Sequence, residues 1–110
     1  MVKLENIFKG SEVKTKEELV EELISGGTIV RLERVISPRS DIPSKVYDQE
    51  EDEFVIVLKG YAELEFENGG DIMSRATMGE GDYVNIPAHL KHRVIRTEEG
   101  TTWLALFYKK

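Results

Sequence analysis

"YDQEEDEFVIVLKG", Tyr47 to Gly60, sets five acidic side chains directly before five apolar ones and closes on a glycine. The apolar run from Phe54 to Leu58 is nearly continuous and β-branched, so it reads as a central strand covered on both faces. Glu53 stands at its start with the parity of Val55 and Val57, and side chains of one parity leave a strand on the same side. A carboxylate in an apolar interior needs a partner, because losing its water is costly. Asp48, Glu50, Glu51 and Asp52 read as the solvated turn before the strand.

Working outward, most of the chain carries strand signals. "TIVRLERVIS" sets Val30, Leu32 and Ile36 against Arg31 and Glu33, with Arg34 breaking the parity. "YAELEFE" alternates Ala62, Leu64 and Phe66 with Tyr61, Glu63, Glu65 and Glu67, and "NGG" at Asn68 to Gly70 is a hairpin turn. "YVNIP" is a short strand that Pro87 ends, and "HRVIRT" and "TTWLALFY" supply two more. At least six short strands separated by turns predict an all-β barrel or sandwich. One stretch reads otherwise. In "TKEELVEELISGG", Thr15 and Glu18 form a capping box, Leu19, Val20, Leu23 and Ile24 mark an apolar face, and Gly26 stands at a helix C-terminus. A short outer helix over 16–25 is predicted there.

Composition narrows the function classes. The 110 residues suit a single domain, 1–110, with one modest core. With 40% hydrophobic and 33% charged residues the chain reads as globular, and a net charge of −6 argues against a nucleic-acid surface. Cysteine is absent, which removes disulfides, thiolate metal sites and a Cys nucleophile. No secretory h-region or membrane-length apolar run is visible, so no membrane partner and a cytoplasmic location are expected. No phosphate loop, helical HExxH or Ser-His-Asp arrangement appears.

Two motifs resemble those of the cupin superfamily, G(x)5HxH(x)3–4E(x)6G and G(x)5PxG(x)2H(x)3N. In "GDYVNIPAHLKHRV", Gly81, Pro87 and His92 match the second, with His89 in its glycine slot and Arg96 in its asparagine slot. In the first, Glu53 and Gly60 match the E(x)6G half; Tyr47 and Gln49 occupy the histidine slots and Asp41 the opening glycine slot. The resemblance covers about residues 28–108. It implies a double-stranded β-helix, or jelly-roll, barrel, here with the short N-terminal helix added.

The family's metal members hold an ion with three histidines and a glutamate, and here those positions read Tyr47, Gln49, Glu53 and His92. The resemblance thus implies a divalent ion (Mn, Fe, Zn or Ni) on Gln49, Glu53 and His92, with harder ions less disfavoured by oxygen ligands. His92, Val94 and Arg96 share one strand parity, so Arg96 would neutralise Glu53 or bind a substrate carboxylate. His89 would join only if its turn folds inward. Three small-molecule functions stay open: a metal-dependent cupin enzyme, a metal-free isomerase with His92 as base and Tyr47 as acid, and a non-catalytic ligand-binding barrel. Trp103, Leu106 and Phe107 read as core and interface. The apolar load of "TTWLALFY" and "VKLENIF" predicts a homodimer.

Overall fold

A computed structural model describes residues 7, 8, 16–70 and 72–109. Eight strands run in the order β1 (Leu19–Gly26), β2 (Ile29–Ser37), β3 (Asp52–Lys59), β4 (Ala62–Glu67), β5 (Met73–Met78), β6 (Tyr83–Ile86), β7 (His92–Thr97) and β8 (Thr101–Tyr108). They form a five-stranded sheet, β1-β2-β8-β3-β6, and a three-stranded sheet, β5-β4-β7, with antiparallel pairing throughout. The segment before β3 adds a ragged edge to the smaller sheet through bridges Ser40–Thr97 and Tyr47–His92.

The predicted N-terminal helix is a strand. β1 pairs with β2 from Leu19↔Ile36 to Gly26↔Ile29, around a two-residue loop at Gly27 and Thr28. Thr15, the expected cap, and residues 2–6 of "VKLENIF" lie outside the described residues. Helix propensity in Glu and Leu amounts to tenths of a kcal/mol per residue, whereas leaving the edge of β2 open would forgo a whole ladder of hydrogen bonds. Gly26 and Gly27, with φ of 106° and 65°, take the left-handed conformations the hairpin needs, where the sequence suggested a helix stop. β5 carries no alternation to read, since four of its six residues are exposed.

The core sits between the sheets. Val55 and Val57 of β3, Ala62 and Leu64 of β4, Met78, Ile86, and Trp103, Ala105 and Phe107 of β8 form one buried cluster. β3 is central, between β8 and β6, but its outward residues Phe54, Ile56 and Leu58 are only half-buried. The continuous apolar run thus has one covered face and one partly open face. Leu104 and Leu106 of β8 extend the outer face in register beside Ile56 and Phe54.

Candidate functional site

Strands of both sheets and the segment before β3 aim side chains into a cavity of about 300 Å³ between the sheets. Glu53 comes from the start of β3, on the inward parity of Val55 and Val57. His92 opens β7 and is 5% exposed. Tyr47 is held beside it by a two-way backbone bridge, Tyr47 N to His92 O at 2.7 Å and His92 N to Tyr47 O at 3.1 Å. Gln49 is fixed by the His89 amide, which donates to its carbonyl at 2.7 Å. The walls are apolar, with Leu64, Ile86, Trp103 and Phe107 among them.

The His92 ring lies between two aromatic rings, Tyr47 at 5.8 Å and Phe66 at 6.2 Å, both stacked. Its Nδ1 is 2.9 Å from the Leu90 carbonyl oxygen. A carbonyl can only accept, so Nδ1 carries a proton and donates it, and Nε2 is the ring nitrogen turned toward Glu53. Nε2 and the Glu53 Oε1 are 3.8 Å apart, beyond hydrogen-bond length, and both side chains are nearly buried.

Burial pushes the Glu53 carboxyl up to about 7. The neighbouring Gln49 amide lowers it, Glu33 raises it, Arg31 lowers it and Glu18 raises it. The Gln49 Nε2 is itself buried with no partner at hydrogen-bonding distance and angle, so its proximity to Glu53 acts as a dipole rather than a formed bond. Tyr47 is raised as well, by partial burial and then by the Glu18 and Glu53 carboxylates, which keeps its phenol neutral.

Of the residues singled out by sequence, the cavity brings together Tyr47, Gln49, Glu53 and His92. Arg96 is elsewhere. The pairing of β4 with β7 shifts register between Glu63 and Leu64, so that Val94 opposes Leu64 while Arg96 opposes Glu63. This bulge at Ile95 reverses the parity beyond it. Arg96 lines an adjoining pocket of about 190 Å³ and stands 3.6 Å from Asp41 and 4.0 Å from Glu63. His89 stays outside the cavity. It is exposed, with its Nδ1 2.8 Å from Asp48, and its φ of 65° explains why the cupin motif has glycine there.

Three cavity residues escaped the sequence reading: Glu18, Arg31 and Glu33. The signal was present in β2, where Arg34 broke the parity. The cavity face of β2 is Arg31, Glu33 and Val35, and Leu32 points away, so the polar residues are the inward ones. The acidic run before β3 is also less solvated than expected, since Asp52 accepts from the Ala88 amide at 2.7 Å and Glu51 meets Arg31 at 3.6 Å.

Among the described residues no group of three or more His, Cys, Asp and Glu is placed to hold a metal ion. Glu53 and His92 are strong donors; Gln49 presents an unpaired buried amide and Tyr47 a neutral phenol. A catalytic ion ordinarily keeps three protein ligands. Glu53 and His92 supply two such ligands, and a third would have to be the side-chain oxygen of Gln49 or Tyr47.

The family model described as "Cupin domain" matches residues 33–107. A crystal structure from Ralstonia eutropha JMP134, described as a candidate mannose-6-phosphate isomerase, is similar over 99% of this chain and 100% of its own, at 33% identity and a TM-score of 0.85. An rmlc-like cupin family protein with a double-stranded β-helix fold from Methanocaldococcus jannaschii matches 88% of this chain and 83% of its own, at 19% identity and a TM-score of 0.68. FeII HppE shares the fold over 84% of this chain and 50% of its own, at 16% identity and a TM-score of 0.69. No curated protein matches. Among the described residues no helix is long and apolar enough to cross a membrane.

Proposed function

We propose that this chain, which belongs to the cupin family, binds a small molecule between its sheets and moves a proton on it without a resident metal. The observation that carries the reading is the Nδ1 contact of His92 with the Leu90 carbonyl, which leaves the buried Nε2 facing the cavity as the nitrogen that would take a proton. A general base works best with a pKa near the working pH and within reach of the proton it takes. His92 would take a proton from a carbon next to a substrate carbonyl and return it to the neighbouring carbon. The Tyr47 hydroxyl would give its proton to the substrate carbonyl oxygen and recover one from the neighbouring substrate hydroxyl as that becomes the new carbonyl. Glu53, whose carboxyl burial raises to about 7, would stabilise the imidazolium when ionised. The relative at 33% identity carries an isomerase description, and aldose–ketose isomerisation is a proton relocation of this kind.

The test is hydrogen exchange in D₂O with a panel of small carbonyl compounds, amino ketones, aldoses and ketoses among them, read by proton NMR. The expected outcome is carbon-bound deuterium that falls about a hundredfold or more in His92→Ala and about tenfold in Tyr47→Phe. Exchange that His92→Ala leaves intact, or that requires an added divalent ion, overturns the reading. Ligand binding with no exchange on any member favours a non-catalytic barrel.

A second reading keeps the metal. Two donors on one ion, each about 2.1 Å from it, stand roughly 3–4 Å apart, and Glu53 and His92 are 3.8 Å apart. The name FeII HppE and the Fe(II) complex of HEPD from Streptomyces albus show that proteins of this fold bind iron. Elemental analysis of untagged protein decides between the two readings. Well under one equivalent of Mn, Fe, Zn or Ni is expected after incubation with each, and one equivalent lost in both Glu53→Gln and His92→Ala establishes the metal site.

A further inference from the structure

We propose that the cavity selects a small organic cation, an amine on an apolar body, and rejects carboxylate and phosphorylated ligands. The inference rests on the small-molecule reading of the same cavity and names its ligand class. Three carboxyl groups line the space, Glu18 at the rim, Glu33 on β2 and Glu53 on β3. Arg31 is the one Lys or Arg among the described lining residues.

Arg31 is already engaged three times. Its Nε is 3.0 Å from Glu33, its Nη1 is 3.6 Å from Glu51, and its guanidinium lies over the Phe107 ring at 3.8 Å. A guanidinium committed to two carboxylates and an aromatic face has little left for an anion. The nearby cations outside the cavity are occupied too. Lys45 sits over the Tyr47 ring at 5.2 Å, and Arg96 in the adjoining pocket faces Asp41 and Glu63.

Burial raises the Glu18 carboxyl above its ordinary range, the Ser37 hydroxyl that donates to it at 3.4 Å lowers it, and the Glu33 charge raises it further. A cation in the cavity would be attracted by these carboxylates, whereas a phosphate would add to their repulsion. The remaining wall is hydrocarbon and aromatic surface from Val35, Leu64, Trp103 and Phe107, suited to an apolar body of few atoms.

Trp103 is the single tryptophan and lines the cavity, so its fluorescence reports binding without any turnover. The probes are benzylamine, benzyl alcohol, benzoate and mannose 6-phosphate, titrated at low ionic strength. Benzylamine is expected to bind about tenfold or more tightly than its neutral isostere, with both anions weakest. Glu18→Gln and Glu33→Gln should each reduce the amine preference severalfold while leaving benzyl alcohol unchanged. Glu33→Gln, by freeing Arg31, should also improve benzoate. The preference should fade as salt is raised. Equal or tighter binding of benzoate or mannose 6-phosphate, an amine preference unmoved in both variants, or no response to benzylamine at 10 mM overturns the proposal. Thermal unfolding of the two variants verifies that they fold. Because His92 is untouched and no reaction is read, failure here leaves the proton-transfer reading standing, and the converse holds.

Discussion

β3 and β7 each deliver one arm of the Glu53–His92 pair, yet they do so under different rules. β3 keeps strict alternation from Glu53 through Val57, so everything of one parity faces the cavity and Phe54, Ile56 and Leu58 face out. β7 alternates for His92 and Val94 and then slips a residue, sending Arg96 outward and burying Thr97 instead. Their outer surroundings differ as well. Beside β3 lies an apolar row, while beside β7 the outer face is charged and paired, with Arg93 and Arg75 on Glu65. One strand can be read by counting and the other cannot, because a bulge leaves no mark in residue type.

The regularity of β3 ends at Gly60, and that ending gives the largest expected effect. Gly60 has φ of 93°, and a Cβ there would stand 2.6 Å from the Thr101 Oγ1 and 2.8 Å from its Cα. Because the Cα cannot move aside cheaply, Gly60→Ala carries both a left-handed strain and a backbone clash. We expect a loss of about 3 kcal/mol or more, seen as a fall of more than roughly 10 °C in Tm. A fall of a degree or two would mean that the β3–β4 corner is looser than its packing implies.

Next comes Glu53 at the other end of β3. Its carboxyl is raised from 4.5 to about 7 in the folded protein, so folding favours the protonated form. The sign follows from linkage. Stability from this group is fully present below pH 4.5, is lost as pH rises toward about 7, and the penalty is constant above. At pH 8 the ionised group costs about 3 kcal/mol. Glu53→Gln should therefore raise Tm by several degrees at pH 8 and change it little at pH 4.5. A variant less stable at pH 8 than the parent would show that a bound cation or a direct ion pair holds this carboxylate in the parent.

The outward faces supply a third contrast. If the apolar row beside β3 is covered by a second copy, Leu106→Lys should break a homodimer, raising its Kd a hundredfold or more, with light scattering as the measurement. Arg93→Ala on the charged face of β7 should leave assembly unchanged. A parent protein that is already monomeric at micromolar concentration removes the homodimer altogether.

How much of this was legible follows from the same contrast. The strand positions from β2 to β8, apart from β5, and the placement of Glu53 and His92 came from alternation, turn residues and motif spacing, all local properties. β1 was read as a helix because Glu and Leu are good helix formers and the i, i+3, i+4 spacing was present. What made it a strand is the open edge of β2, which no local pattern records. Glu33 and Arg31 were missed because apolar residues were taken as inward in β2, where the cavity face is the polar one. Arg96 was misplaced by the bulge. In each case a non-local contact overrode a local rule.

The smallest expected effect tests the break in β7 most directly. Arg96 is half-exposed, and both its contacts are long, 3.6 Å to Asp41 and 4.0 Å to Glu63. Exposed pairs of this kind contribute about 0.5 kcal/mol or less, so Arg96→Ala should barely move Tm. It should also leave the titration of Glu53 where it is, since the bulge directs its charge away from the cavity. Arg31 is the cation that acts on Glu53, holding its carboxyl lower than burial alone would. Arg31→Gln should accordingly raise the Glu53 midpoint, while the two Arg96 contacts are unaffected. NMR titration of the Glu53 carboxyl in both variants distinguishes them. If Arg96→Ala moved Glu53 and Arg31→Gln did not, β7 would have to alternate without interruption, with Arg96 facing the cavity as plain counting from His92 places it.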